Sequence, residues 1–211
     1  VAMPFPEGGP LRYCWTDSSS VPRHLVAFWP EECPGPARLK LDEPGNLAQG
    51  PPGGADYLII THRRFRSAAD RLASYRTQHN GLRVAVVDVQ DIYDEFNYGL
   101  KSPLAIREFL TYAFWTWPEP HPALVLFLGD ASWHPRRLSP GSSARDYVPT
   151  YGKPVSDSRL ACVDGPTDIL PDLAISRLPV STPEQAEHAV DKNLQYETQP
   201  TDRWLKRFLF I

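Results

Sequence analysis

The chain has 211 residues, a formal net charge of −3 and a pI near 6.1, with 42% hydrophobic and 22% charged residues. This near-neutral charge gives no electrostatic reason to expect binding to nucleic acid or to an anionic membrane surface. A membrane-spanning helix needs about 20 consecutive apolar residues. The apolar runs here are much shorter, so no membrane span is predicted.

The stretch 1–53 is rich in proline and glycine, which disfavours helix. Within it, residues 11–15 and 24–28 flank a serine-rich turn and are compatible with a β-hairpin. We therefore predict that residues 1–53 are a Pro/Gly-rich lead-in to the main domain or the tail of a preceding one.

Residues 54–100 predict a strand, a helix and a second strand. Residues 57–61 form a short apolar run, as in parallel strands that are buried on both faces. The helix that follows is predicted to end at Gly81, since glycine readily takes a positive φ. Residues 82–89 are the second strand, which lies parallel to the first because the connection is helical. Residues 91–96 then predict a polar corner with three carboxylates, at the strand end where sites of open α/β sheets gather.

The rest of the chain continues the alternation of helix and strand. Ser102-Pro103 predicts one helix start, and Thr182 with Gln185 predicts another through a capping box. The other predicted elements are a strand at 123–128, a long loop at 133–151, an ambiguous stretch at 155–164, a strand at 172–178 and the start of a further strand at 207–211. This pattern specifies an α/β fold, a three-layer sandwich with a mostly parallel sheet.

Nucleotide-binding and serine-hydrolase motifs are absent from the sequence. The first strand is followed by His62-Arg63-Arg64 rather than a glycine-rich turn, and no Walker or GxSxG motif occurs. The cysteines Cys14, Cys33 and Cys162 lack the spacing of a zinc site. We therefore predict no nucleotide cofactor, and the default interpretation of Cys162 is a small buried thiol.

Acidic residues cluster in the later loops, around Asp164-Gly165-Pro166-Thr167-Asp168. One interpretation is a calcium site with Asp164 and Asp168 as ligands, although the stretch lacks the full alternation of an EF-hand loop. The other is turn and cap chemistry, because aspartate readily accepts hydrogen bonds from nearby backbone. Both interpretations stay open on the sequence.

Several stretches resemble the gingipain-type family of cysteine peptidases, whose fold is caspase-like. The resemblance covers about residues 54–211 in order, with one departure at Ser176, where the family usually has glycine before the arginine. The main stretches are GADYLIITHRRF (54–65), YDEFNYG (93–99), SPLAIREFL (102–110), LFLGD (126–130), VPTY (148–151), PDLAISRLP (171–179) and KNLQYE (192–197). The expected fold is therefore a caspase- or flavodoxin-like sandwich.

The catalytic unit of this family has two caspase-like halves side by side, and the chain resembles the first. The resemblance implies a gingipain-like subdomain at residues 54–205, with residues 206–211 as the first strand of a following, truncated catalytic subdomain. The family's catalytic histidine precedes a glycine, and its nucleophilic cysteine comes later. None of the six histidines here precedes a glycine, so no catalytic residue is assigned to this chain.

The resemblance also implies partners and a compartment. Family members use calcium, which adds some support to a metal in the acidic loops but fixes no ligand. They are secreted or held at the cell surface, and the same is expected here. The expected partners are the downstream catalytic subdomain of the same polypeptide and protein or peptide substrates.

The first hypothesis is a non-catalytic N-terminal subdomain of a cysteine endopeptidase, inactive alone, with the Cys–His dyad downstream of this chain. The alternatives are a pseudoenzyme or a secretion or processing component of the same fold that acts by binding, and a metal-binding flavodoxin-like module.

Overall fold

The structure is a computed structural model that describes residues 20–21, 35, 45–132, 146–152, 156–165 and 167–199. The chain divides into two compact units, residues 1–42 and 43–211, and the fold below is that of the second. The predicted hairpin in the lead-in and the predicted strand at 207–211 lie outside the described residues. No helix in the described part of the chain is long and apolar enough to cross a membrane.

Four parallel strands form one sheet in the order β2-β1-β3-β4. The elements in chain order are β1 (Tyr57–Thr61), α1 (Arg66–Asn80), β2 (Val84–Asp88), α2 (Val89–Asn97), α3 (Pro103–Thr116), β3 (Leu124–Leu128), β4 (Ala174–Leu178) and α4 (Pro183–Thr198), with single 3-10 turns at Arg63–Phe65 and Ser158–Leu160. The predicted α/β class with a parallel sheet is confirmed.

The helix ends follow the predicted capping chemistry. The Ser102 hydroxyl accepts a hydrogen bond from the Leu104 amide at 3.1 Å, and Pro103 fills the first helical position of α3. The Thr182 hydroxyl accepts from the Gln185 amide at 3.3 Å at the start of α4. Gly81 ends α1 with a φ of 69°, in the left-handed region that glycine occupies at low cost.

One predicted element is wrong. The polar corner expected at residues 91–96 is the middle of α2, a helix that begins directly where β2 stops. Asp88 causes the switch, because its carboxylate accepts from the Gln90 amide at 3.0 Å and caps the first turn. The buried residues Val89, Ile92 and Tyr93 then have helical rather than strand spacing.

The sheet has a separate apolar core on each face, which makes three layers. One core lies between the sheet and α2 with α3, and the other lies between the sheet and α1 with α4. The largest fully buried side chains of the first include Leu58, Ile60, Ile92, Ile106, Phe109, Leu110 and Phe127, and those of the second include Ile59, Phe65 and Leu128. The two central strands, β1 and β3, are therefore buried on both faces, as their continuous apolar sequences predicted.

Residues 45–49, predicted as part of the lead-in, pack onto α2 and α3. The Glu95 carboxylate accepts from the Leu47 and Ala48 amides at 3.0 and 3.2 Å. The Trp117 indole donates to the Leu47 carbonyl oxygen at 2.7 Å. Leu47 also packs against the first core, so this short segment is part of the α/β unit.

Candidate functional site

The carboxyl ends of the strands meet at one edge of the sheet, which we call the carboxyl edge. β2 lies on one side of β1 and β3 on the other, so the winding reverses direction between β1 and β3. Ligand sites of open α/β sheets form at such a switch point. Here the buried Thr61 hydroxyl donates to the Leu128 carbonyl oxygen at 2.8 Å and ties the two strands together.

Arg177, near the end of β4, holds the loops of the carboxyl edge together. Its Nε and Nη2 donate to the two oxygens of Asp157 at 2.7 and 2.8 Å, a bidentate pair. Its Nη1 donates to the carbonyl oxygens of Gly129 and Val148 at 2.7 and 2.8 Å. The guanidinium also lies 4.9 Å from the centre of the Phe127 ring, a cation–π contact. One side chain thus fixes three separate loops.

A second ion pair at the carboxyl edge joins Lys101 to Asp146. Lys101 Nζ lies 2.9 Å from Asp146 Oδ2, and the Asp146 side chain is only 4% exposed. Asp146 Oδ1 accepts a hydrogen bond from the Ser132 amide at 2.9 Å. The Tyr93 hydroxyl is buried, and no described residue forms a hydrogen bond with it. Burial, followed by the charges of Asp146 and Asp88, raises the pKa of Tyr93, so its phenol stays neutral.

His62 is the described histidine that directly follows a strand at this edge. Its Nδ1 accepts from the Arg64 amide at 3.2 Å, and its ring packs against the edge of Tyr147 at 5.2 Å between centroids. Burial lowers the pKa of His62, and the charge of Asp88 opposes that effect only in part. The neutral imidazole therefore serves as a cap for the first turn after β1.

Cys162 does not have the environment of a nucleophile. Its side chain is buried, and its Sγ donates to the Ser158 carbonyl oxygen at 3.3 Å. Burial raises the pKa of the Cys162 thiol, which disfavours the thiolate that nucleophilic attack requires. The other two cysteines lie outside the described residues.

The calcium candidates Asp164 and Asp168 lie in one tight turn. Asp168 Oδ2 accepts from the Asp164 amide at 3.3 Å, and Oδ1 accepts from the Leu170 amide at 3.0 Å. These backbone donors lower the pKa of Asp168. Calcium takes about six to eight oxygen ligands, and no cluster of three or more His, Cys, Asp or Glu side chains within the described ranges is arranged to hold a metal. The geometry fits turn chemistry, and calcium binding stays a prediction.

Sequence reasoning missed how the ionic groups of the carboxyl edge are paired. Arg177 lies in a stretch that carried the family resemblance, but Asp157 lies 20 positions before it. Lys101 and Asp146 are 45 positions apart and carried no motif signal. The connection between β3 and β4 brings the first pair together, because Asp157 lies in it directly before the 3-10 turn at Ser158–Leu160.

The sequence model of peptidase family C25 matches residues 50–211, which is most of the chain. The chain belongs to peptidase family C25, the gingipain family. Members of this family are cysteine peptidases. No curated protein matches the chain.

The C25 chain is also similar to a solved structure described as dimeric latent PorU from Porphyromonas gingivalis. The two share 28% sequence identity with a TM-score of 0.58, over 68% of this chain and 16% of that one. The chain therefore spans about a sixth of the length of this relative. The likeness supports the caspase-like α/β fold of the unit described above.

Proposed function

We propose that this C25 chain is the non-catalytic N-terminal subdomain of a gingipain-like cysteine endopeptidase, whose Cys–His dyad lies further along the polypeptide. The chemistry would be hydrolysis of peptide bonds, with a cysteine thiolate attacking the carbonyl, a histidine carrying the proton and backbone N–H groups stabilising the oxyanion. Protein or peptide substrates, and a secreted or cell-surface location, belong to the same proposal through family membership.

The state of Cys162 carries this proposal. It is the cysteine of the α/β unit, but its side chain is buried and donates a hydrogen bond to a backbone carbonyl. Burial also raises the pKa of its thiol, which favours the neutral form. No hydrogen bond joins it to a histidine in the described part of the chain. Together with the absence of a His-Gly pair from the sequence, this supports a scaffold rather than a catalytic half.

The winding of the sheet supports a second α/β half after α4. β1 reaches β2 through α1, and α4 lies on the same face as α1. Because such crossovers are right-handed, a parallel strand after α4 would have to move from β4 in the direction that leads from β1 to β2. That direction is occupied by β3 and β1. The apolar run at 207–211 is thus better placed as the first strand of a second sheet.

Peptide hydrolysis tests the proposal. The 211-residue chain should show no hydrolysis of a mixed fluorogenic peptide library. The polypeptide extended through its second half should hydrolyse peptides and lose that activity with iodoacetamide. Cys162→Ser in the extended polypeptide should keep both the activity and the sensitivity to iodoacetamide.

Two outcomes would contradict the proposal. If Cys162→Ser abolished hydrolysis while circular dichroism showed an intact fold, the nucleophile would lie in this half. If the extended polypeptide were folded but inert toward peptides and toward iodoacetamide, the pseudoenzyme or binding alternative would replace the peptidase.

A further inference from the structure

The outer face of α3 carries exposed apolar side chains. The inner face of this helix is buried in the first core through Ala105, Ile106, Phe109, Leu110 and Ala113. On the outer face, Leu104 is 47% exposed, Tyr112 is 37% exposed and Trp115 is 61% exposed. Leu104 and Trp115 lie about 16 Å apart along the helix. Exposed apolar side chains that share one face, rather than being scattered, are typical of an interaction surface.

A groove of about 570 Å³ runs beside this face. Its lining includes Leu104 and Tyr112 of α3, Phe96 of α2, and Val163 and Gly165 of the connection between β3 and β4. The Trp115 indole donates to the Val163 carbonyl oxygen at 3.4 Å, so Trp115 adjoins this lining. We call the groove, together with the exposed face of α3, the α3 groove.

The main-chain groups beside the α3 groove already have partners. The Cys162 carbonyl oxygen accepts from Arg107 Nε at 3.0 Å, and the Gly165 carbonyl oxygen accepts from Arg107 Nη2. The Val163 carbonyl oxygen accepts from the Trp115 indole, and the main chain of α3 is paired within the helix. A docked strand would need free main-chain groups here, whereas a docked helix pairs its own and binds through side chains. The groove therefore fits a helix.

Carboxylates surround the α3 groove. Glu108 lines it, and Asp164 lies between two residues that line it; both are exposed. Asp168 and Asp172 accept from main-chain amides of the same connection at 3.3 and 3.0 Å. Arg107 also lines the groove, but its single positive charge cannot neutralise four carboxylates. The charge of the groove therefore favours a cationic partner.

The spacing along α3 places a carboxylate beside two aromatic rings. Glu108 lies one helical turn before Tyr112 and two turns before Trp115, so the three side chains are neighbours on the helix surface. A carboxylate beside exposed aromatic rings can bind a lysine or arginine side chain through an ion pair and a cation–π contact. The surface thus offers both an apolar contact and a cation-binding contact.

We propose that the α3 groove docks a basic, amphipathic helix of another protein. The apolar side of the docked helix covers Leu104 and the groove beside it. Its lysine or arginine side chains pair with Glu108 and Asp164 and pack against Tyr112 and Trp115. This interaction goes beyond the proposed peptidase function and does not depend on it, because it needs no catalytic group.

Three fluorescein-labelled model peptides of equal length test the chemistry of the partner. The first combines leucine and lysine at helical spacing, the second replaces every lysine by glutamate, and the third keeps leucine and lysine but alternates them as in a strand. In fluorescence anisotropy, the first should bind the 211-residue chain at least about tenfold more tightly than the others, and added salt should weaken it. Equal affinities, or no binding of the first peptide, would overturn the proposal.

Two substitutions with matched controls locate the binding. Glu108→Lys and Trp115→Ala should each weaken binding of the helical leucine–lysine peptide about tenfold or more. Glu184→Lys makes the same charge change on α4, at the other face of the sheet, and should change the affinity less than about twofold. Tyr98→Asn removes a tyrosine that is 97% exposed outside the groove lining and should have as little effect.

Circular dichroism checks that each variant keeps its fold. Equal effects of Glu108→Lys and Glu184→Lys would show that the peptide responds to net charge alone, and would contradict docking in the α3 groove.

Other occupants of the α3 groove give different outcomes. If light scattering shows that the 211-residue chain self-associates and that Glu108→Lys abolishes the association, a second copy is the occupant and the proposal is wrong. The extended polypeptide, treated with iodoacetamide so that it does not hydrolyse the probe, should bind the helical peptide as tightly as the 211-residue chain does. Loss of binding there would show that the second half covers the groove, which also overturns the proposal.

Discussion

At the scale of single residues, Arg177 makes polar contacts with three separate loops at the carboxyl edge. Its guanidinium makes four hydrogen bonds to Asp157, Gly129 and Val148, and its side chain is only 13% exposed. Removing one partner of such a pair leaves a half-buried carboxylate and two carbonyls without their donor. The contacts of this residue therefore matter for the stability of the unit as well as for the shape of the edge.

We predict that Arg177→Ala lowers the free energy of unfolding of the chain by about 2–4 kcal/mol. Urea denaturation followed by tryptophan fluorescence measures the change. The control is Arg66→Ala, which removes an exposed ion pair with Asp70 and should cost less than about 1 kcal/mol. Equal effects of the two substitutions would show that Arg177 does not hold the loops.

His62 gives a pH dependence whose sign follows from its environment. Burial lowers the pKa of the folded histidine below its ordinary value of 6.5. The unfolded chain therefore binds a proton near pH 6.5 that the folded chain does not, and stability falls as the pH drops below that value. His62→Asn keeps an acceptor for the Arg64 amide and removes the titrating group. The melting temperature of the parent should fall more than that of the variant between pH 7.5 and pH 5, and parallel curves would contradict this.

The candidate site could be predicted from the sequence only in part, for a reason that lies in individual residues. The clustering of aspartates located the turn at Asp164 and Asp168, but the sequence could not distinguish a metal ligand from an acceptor of backbone amides. That distinction depends on where the Leu170 amide points. The pairing of Arg177 with Asp157 depends on the path of the connection between β3 and β4, which no local pattern encodes.

At the scale of elements, two glycines with a positive φ have different surroundings. Gly54 lies against backbone atoms, whereas Gly81 ends α1 in open space. Gly54 has a φ of +74°, and a Cβ there would lie 2.3 Å from Pro118 O. Gly81 has nearly the same φ, +69°, with no atom within 4 Å of the Cβ position. Substituting each of these two glycines by alanine therefore separates two free-energy costs: that of a side chain on a left-handed backbone and that of a steric clash.

We predict that Gly81→Ala lowers the free energy of unfolding by about 1 kcal/mol, the cost of placing alanine in the left-handed region. Gly54→Ala should cost at least about 2 kcal/mol more, because the clash is with backbone atoms that cannot rotate away. Urea midpoints of both variants, taken with the parent's slope, measure the difference. Equal losses would show that the chain around Pro118 moves at little cost.

Most elements could be predicted because apolar periodicity and capping residues agree locally. The strands at 57–61 and 123–128 and the starts of α3 and α4 follow their sequence signals to within one residue. α2 was missed because its first residue continues the apolar run of β2. The available signal was Asp88 as a cap, with Val89, Ile92, Tyr93 and Phe96 at helical spacing.

At the scale of the whole molecule, residues 45–49 are a structural part of the α/β unit. Leu47 packs on the first core and accepts the Trp117 indole proton, and Glu95 binds this segment through two amides. The sequence prediction placed this segment in the lead-in because prolines and glycines surround it. Long-range contacts of a non-periodic segment are not visible in local sequence patterns.

We predict that a fragment of residues 54–211 is less stable than one of residues 45–211 by about 2 kcal/mol, from lost apolar burial and an indole left without its acceptor. Trp117→Phe should destabilise the longer fragment and have less effect in the shorter one, where the Leu47 carbonyl is already gone. Urea denaturation of both fragments, each with and without Trp117→Phe, measures the four stabilities of a double-mutant cycle. An additive result would show that the indole does not act through Leu47.

We expect the loops that Arg177 ties together to resist cleavage by peptidases. A peptidase cleaves an extended segment, so a surface loop must first detach over several residues before its backbone can be cut. Val148 and Asp157 cannot detach without releasing the same guanidinium. Because one side chain holds both loops, we expect Arg177 to slow their cleavage by the catalytic half that is proposed above.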